Sequence, residues 1–458
     1  MPVEDQRITL AGMRRIVLLV LIVLSVDVVS ASPTAFLNVN VITMTENGVV
    51  EAQTVIVDDG VIVVIGDVDG VPVPKDAVVV DGTDRYLMPG LTEMHAHVAE
   101  VGSQDLNRDF TLFVANGVTT VRGMLGRPSH LKLRQQLLDG EHFGPRLITS
   151  GPSLNGNSVS SPADGVRKVL EQHAAGYDFI KIHPGLSASE FIAIASAANE
   201  LGMPFAGHVP VSVGVTGALD AGMATIDHLD GYIAALMPAD SDLSGGYGGF
   251  FDILLAQQVV AERVEEVVMR TVAAGTWNVP TQSLVEQLVN ETSVADLANR
   301  PEMRYMPRAT VDRWGEAKQS QLNERGFSPE IGARAIDVRR RIILALHQAG
   351  AGLLLGSDAP QIFNVPGFSL HHELEFLVAA GLTPFDALRT GTTAAAEFLG
   401  TNTGVVAMGK EADLVLLDAN PLLDIGNTRR VHGVMLRGEW FPYTEIENRL
   451  EQLLSRDE

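Results

Sequence analysis

Eight short apolar runs recur through the middle of this chain, and helix-like text follows most of them. The runs are LMPGLTEMHAHV, GVTTVRG, RLITSG, FIKIHPG, PFAGHVP, TIDHLDG, WNVPTQ and LLLGSDA, and with their helical stretches they fill residues 90–404. A strand buried on both faces and followed by a helix is the repeating unit of a parallel sheet. Eight such units in succession predict a (β/α)8 TIM-like barrel, an α/β fold whose strand ends meet around one mouth. At 458 residues the chain exceeds what one core serves, so a second, smaller unit is expected. Its material lies at both ends: FLNVNVITMT, TVIVDDGVIVVIG and DAVVVDG come before the barrel, ADLVLLD and VHGVMLRGEWF after it. The DDG between two β-branched runs reads as a hairpin turn. These segments predict a small β-sandwich domain built from residues 32–89 and 405–445, with 446–458 as a C-terminal tail. Two stretches break the rhythm, the glycine-rich SGGYGGFF from Ser244 to Phe251 and a polar helical segment from about Glu286 to Glu330. Long connections after barrel strands lie over the mouth, so both are candidate lids, with a plain surface insertion as the other reading of the second.

Charge and composition narrow the partners. The 33 Lys+Arg against 56 Asp+Glu give a net charge of -23, which repels phosphate backbones and anionic lipid, so nucleic-acid binding is not expected. Cysteine is absent, which excludes disulfides, thiolate nucleophiles and Cys-ligated zinc. Any metal must be held by nitrogen and oxygen. At the N-terminus Arg14 and Arg15 precede the apolar run IVLLVLIVLSV, and VVSAS follows, the layout of a secretory signal peptide over residues 1–31. Cleavage after Ala31 fits, with no stable membrane insertion once the signal is removed, and predicts an exported, periplasmic or secreted protein. Whether Met13 is the true start is left open.

The chemistry concentrates at strand ends. His95 and His97 stand two apart in MHAH, so in an extended strand both imidazoles share a face and can converge on one cation. His208 ends PFAGHVP, His228 ends TIDHLDG and Asp358 ends LLLGSDA. A barrel brings such residues together however far apart they lie in sequence, and the set suits zinc, manganese or iron. Lys181 in FIKIHPG is the unusual member, because an ammonium would repel a nearby cation. Condensed with carbon dioxide it becomes an anionic carbamate that can bridge two cations. His183, at the same strand end, is the rival ligand.

These motifs together resemble the amidohydrolase superfamily, and within it the imidazolonepropionase-like and Xaa-Pro dipeptidase-like branch. The resemblance runs from about Ala35 to Tyr443 and rests on PGLTEMHAHV, GVTTVRG, FIKI, GHV, DHLDG, PTQ and GSDA. It closes on GLTPFDALRTGTTAAAEFLG and GKEADLVLLDANPL. It implies that His95, His97 and Asp358 hold one metal and His208 and His228 a second, with carboxylated Lys181 bridging. The cofactors are then two Zn2+ ions, manganese or iron being the alternatives. The chain departs from relatives at Gly123, where many have an acid after Arg122, and at VPV after His208, which lacks the glutamate that marks deaminating members.

The expected activity is cleavage of an amide or other carbon–nitrogen bond. A divalent cation lowers the pKa of bound water from about 15.7 to about 7. Asp358 would take the proton of that water and deliver it to the leaving nitrogen. An Xaa-Pro dipeptidase or carboxypeptidase-like activity is one alternative, and lactone or ester hydrolysis at the same site another. The substrate is expected to be a small molecule or short peptide, and self-association into a homo-oligomer is left open. Tyr232, Arg122 and His371 are candidate substrate contacts, each with packing or a structural ion pair as its competing role; His372 shares the helix of His371.

Overall fold

The computed structural model describes residues 32–238, 240–241 and 248–455. The signal peptide and the start at Met13 lie outside the described residues, as does most of the glycine-rich stretch before Phe251. Among the described residues no helix is long and apolar enough to cross a membrane.

Five strands come first: β1 (Thr34–Val41), β2 (Val50–Asp58), β3 (Val61–Asp67), β4 (Val78–Asp81) and β5 (Tyr86–Pro89). Asp59 and Gly60, both at positive φ, form the predicted DDG hairpin between β2 and β3. The middle of the chain holds β6 (Leu91–Ala96), β7 (Val118–Gly123), β8 (Arg146–Thr149), β9 (Ile180–Ile182), β10 (Phe205–Gly207), β11 (Thr225–Asp227) and β12 (Trp277–Val279). The chain ends with β13 (Leu414–Leu417), β14 (Val431–Leu436) and β15 (Glu439–Pro442).

Strands from both ends build one sheet, in the order β15-β14-β13-β5-β1-β2-β3, with β4 also on β1. The expectation of shared ends holds, but the hydrogen-bonded strands form one continuous sheet where two facing sheets were expected. The cause is β1, which changes partner along its length. Its residues Thr34–Leu37 pair with β4, and Asn40 and Val41 pair with β5. The switch falls at a bulge around Asn38, whose φ is 53°. Phe36, Val55, Ile62, Leu87, Leu414 and Met435 form the core of this unit. The predicted tail is also corrected. Residues Tyr443–Leu454 are an amphipathic helix that packs on the helix Gln104–Ala115 and buries Ile446 and Leu450.

The middle strands are all parallel and form two sheets, β6-β7-β8 and β12-β11-β10-β9. Parallel bridges Ser150–Phe179 and Leu154–Ile182 join the β8 side to β9. The LLLGSDA segment is extended without forming a regular strand. It takes a hydrogen bond from β12 (Asn278 N to Gly352 O, 2.9 Å) and gives one back (Leu354 N to Asn278 O, 2.9 Å). Toward β6 it pairs through Met94 N to Leu355 O at 2.8 Å and Asp358 N to His95 O at 2.9 Å. Serine caps set several helix starts; Ser187 and Glu190 form a reciprocal capping box on the helix Ala188–Glu200.

The polar segment from Glu286 onward folds as short helices and a longer one, Arg308–Leu322. It is fastened down. Lys318, fully buried, donates from Nζ to the carbonyls of Gln287 (2.7 Å) and Asn290 (2.9 Å), closing the C-terminal end of the helix Gln282–Val289. Trp314 packs edge-on against Phe363, with ring centres 5.9 Å apart.

Candidate metal centre

Each strand end delivers its side chain to the same place. His95 lies on β6 and His97 just beyond it, Lys181 on β9, His208 after β10, His228 after β11, and Asp358 on the extended segment. Asp358 Oδ1 lies 3.0 Å from His97 Nε2 and 3.5 Å from His95 Nε2, and Oδ2 lies 3.8 Å from His228 Nδ1. Donor atoms of His95, His97 and Asp358 fall within 4.8 Å of one another, a spacing that one ion could bridge. The His228 ring is centred 4.5 Å from that of His95 and 4.6 Å from that of His208. Lys181 joins the group through Asp227, whose Oδ2 is 4.0 Å from Lys181 Nζ and 2.9 Å from His95 Nδ1. His183 is close as well, its ring centred 4.8 Å from that of His208.

Burial sets the protonation of this cluster. It pushes the imidazoles of His95 and His228 well below their usual value, helped by the Lys181 charge beside His95 and by His95 beside His228. His208 and His183 are pushed down to about 3, by burial first and the Lys181 charge second. Neutral imidazole is the ligand form. Burial also lowers Lys181 to about 8. Three buried polar atoms of the cluster, His95 Nδ1, Lys181 Nζ and Asp358 Oδ1, make no hydrogen bond of acceptable geometry. Such orphans in a buried polar cluster are the atoms an ion or a covalent modification would satisfy.

Backbone strain marks the same place. His228, Thr281 and Asp358 sit at φ of 65°, 46° and 64°, in the left-handed region that side chains other than glycine's rarely occupy. Each costs on the order of 1–3 kcal/mol and persists because its surroundings over-determine it. Glycine serves the site once directly: a Cβ at Gly207, φ 121°, would stand 2.8 Å from Lys181 Cδ and 2.4 Å from the Ile182 carbonyl.

Several participants escaped the sequence reading. Glu93 accepts from the backbone N–H groups of His95 (2.8 Å) and Ser357 (2.9 Å), and burial raises its carboxyl to about 8. Gln361 donates to Asp358 Oδ2 at 2.9 Å. Asp230 accepts from His208 Nδ1 at 3.0 Å, and Thr281 pairs with His228 Nδ1 at 2.9 Å. The Phe251 ring lies nearly parallel to that of His228, 4.8 Å away and 19° off, and covers it. Glu93, Asp230 and Thr281 lie in PGLTEMHAHV, DHLDG and PTQ, but nothing in those strings sets them apart from ordinary strand-end and turn residues.

The three residues read as substrate contacts are placed elsewhere. Tyr232 is buried with its hydroxyl on Thr271 Oγ1 at 2.8 Å, against the helix Arg263–Ala274; burial pushes it up to about 12. His371 is buried with Nδ1 on Thr428 Oγ1 at 2.9 Å, facing the short turn Ile425–Arg429 near the chain end. His372 faces Glu302 at 3.9 Å. Arg122 is fully buried, donating to Met94 O at 2.7 Å and to Asp227 at 3.3 Å, with its guanidinium over the rings of Phe179 and Phe398. Its role is the structural ion pair. Replacing it, as Arg122→Met, leaves the buried Asp227 carboxylate without its cation and is expected to cost about 3–5 kcal/mol in urea unfolding of the metal-free protein. Unchanged stability with a raised KM alone would return Arg122 to the substrate side.

The profile of the amidohydrolase family matches residues 86–441. The enamidase of Eubacterium barkeri is 22% identical over 81% of this chain and 82% of its own length. The imidazolonepropionase of Idiomarina loihiensis is 24% identical over 83% of this chain and 90% of its own. Among solved structures, a Xaa-Pro dipeptidase with methionine in its active site superposes with a TM-score of 0.64 at 20% identity, over 90% of this chain and all (100%) of that one. With most of its length matched, this chain belongs to the amidohydrolase family, the metal-dependent hydrolases of carbon–nitrogen bonds.

Proposed function

We propose that the chain hydrolyses an amide in a small molecule or short peptide at a centre of two divalent ions, zinc first and manganese or iron as alternatives. His95, His97 and Asp358 would hold one ion and His208 and His228 the other, with Lys181 carboxylated between them. One observation carries this reading: five ligand-type side chains from four strand ends converge, with the imidazoles of His95, His208 and His228 kept neutral by burial, beside a lysine whose Nζ has no partner. The residues fit the ions. Nitrogen and oxygen donors without cysteine suit zinc, and Asp358 Oδ1 is unpartnered. When bound, the ions would supply Lewis-acid polarisation of the scissile carbonyl and a water that ionises near neutral pH.

The charge balance supports carboxylation. Asp227 already answers Arg122 and takes the Thr225 hydroxyl at 2.7 Å, so a Lys181 ammonium would share that one carboxylate with a second cation. A lysine lowered to about 8 holds a larger share of the free amine that reacts with carbon dioxide. Gln361 fixes the Asp358 carboxylate through Oδ2, and that carboxylate would take a proton from water and pass it to the leaving nitrogen. Phe251 shields the His228 face of the site from solvent.

We also propose that the two parallel sheets and the extended segment Gly352–Ala359 close into one eight-stranded barrel. The parallel bridges Ser150–Phe179, Asn278–Leu353 and Ala96–Ala359 support this. Export on a signal peptide remains a proposal too, checked by finding Ser32 at the N-terminus of secreted protein. The decisive experiment measures metal content alongside activity on N-acyl amino acids, Xaa-Pro dipeptides and lactones. About two ions per chain with amide turnover supports the reading. Below about half an ion per chain after metal-supplemented expression, or turnover of lactones alone, overturns it.

A further inference from the structure

We infer that the turn from Asp227 to Asp230 is a single positioning device that orients three histidines from three strands, and that Arg339 locks it. This rests on the metal centre proposed above.

The pattern is in which ring nitrogen is engaged. Asp230 Oδ2 meets His208 Nδ1 at 3.0 Å and is itself anchored by the Val209 N–H at 3.2 Å. Asp227 Oδ2 lies 2.9 Å from His95 Nδ1, close enough to pair but out of line for a hydrogen bond, and Asp227 is fixed by Thr225 and Arg122. The turn's own His228 meets Thr281 Oγ1 through Nδ1 at 2.9 Å. Each partner faces the Nδ1 edge, hydrogen-bonded at His208 and His228 and apposed at His95, which leaves Nε2 as the ligating nitrogen. A carboxylate accepting the Nδ1 proton fixes the tautomer and raises the basicity of the other nitrogen. Two consecutive left-handed residues, His228 at φ 65° and Leu229 at φ 51°, reverse the chain. Carboxylates three residues apart thereby reach rings on two different strands.

Arg339, on the helix Pro329–Gln348, is fully buried and spends its donors on this turn and its partner. Nη1 donates to His228 O at 2.6 Å, Nη2 to Pro280 O at 2.7 Å and Nε to Gln282 Oε1 at 2.8 Å. One planar guanidinium thus holds the backbone of His228 and of the segment that carries Thr281. A lysine could not span three acceptors in this geometry.

Zinc affinity, measured by competition with a chromophoric chelator on folded protein, tests the assignment. Asp230→Leu is expected to weaken one of the two ions about 10–100-fold, the scale seen when such outer partners are removed. Asp230→Asn keeps an acceptor for the Nδ1 proton and should recover most of that loss, a rescue that a merely space-filling role would not produce. Should Asp230→Leu fail to fold, Thr281→Val, nearly equal in volume, is expected to show the same selective loss. Wild-type protein that binds two ions while Asp230→Leu, or Thr281→Val in its place, binds both as tightly overturns this inference alone. Wild-type protein that binds no zinc overturns the metal centre and this inference with it.

Discussion

Asp358→Asn is expected to lower kcat/KM by about 10²–10⁴-fold, the usual contribution of a positioned acid–base group, while leaving a substantial part of the metal bound. The asparagine keeps a carbonyl oxygen where Oδ1 stands, so ligation by His95 and His97 retains a third donor. It cannot carry a proton. The new amide nitrogen would face Gln361 Nε2, which donates to Oδ2 at 2.9 Å, so Gln361 must turn its amide over and accept through Oε1; with that turn the change is chemical more than steric. Kinetics and elemental analysis on the same preparation check this. Near-normal turnover would remove Asp358 from the proton path, and complete loss of metal would make it a ligand alone.

The second large effect falls at Lys181. Lys181→Met keeps the length and apolar stem in a fully buried position but removes the nitrogen. Losing the bridge would withdraw several kcal/mol of charge stabilisation, equivalent to about 10³-fold in rate. Ions per chain are expected to fall in parallel, from about two toward one. Labelled carbon dioxide supplies an independent readout, because the wild-type protein should give a carbamate carbonyl resonance that the variant lacks. If Lys181→Met keeps both ions and its rate, the lysine is a bystander; the neighbouring His183, its ring 4.8 Å from that of His208, is then the donor to examine.

Much of this was readable in the sequence because the information is local. A histidine or aspartate at the end of an apolar run needs only the strand to be recognised, and the shared mouth follows from the repeat. What was missed depends on contacts between distant segments. Asp227 and Asp230 were visible in DHLDG, but only the left-handed His228 turns them inward, and that conformation is held by Arg339, 111 residues away. Tyr232 was placed on the mouth by its distance from His228. It instead begins a short helix, and its hydroxyl is taken by Thr271. His371 was assigned by adjacency to the eighth segment, and Thr428 near the chain end claimed it. The shared sheet of the two termini was expected from texture alone. Its continuity was not, because the change of partner along β1 turns on the conformation of Asn38.

That sheet places β5, which ends at Pro89, beside β13, which begins at Leu414. At typical synthesis rates of about 5–20 residues per second, β5 waits on the order of tens of seconds for its neighbour. During that interval the early strands offer an open hydrogen-bonding edge to other nascent chains. Yield should therefore depend on how quickly the last fifty residues arrive, and trimming them should harm accumulation in the cell even though they carry none of the proposed ligands.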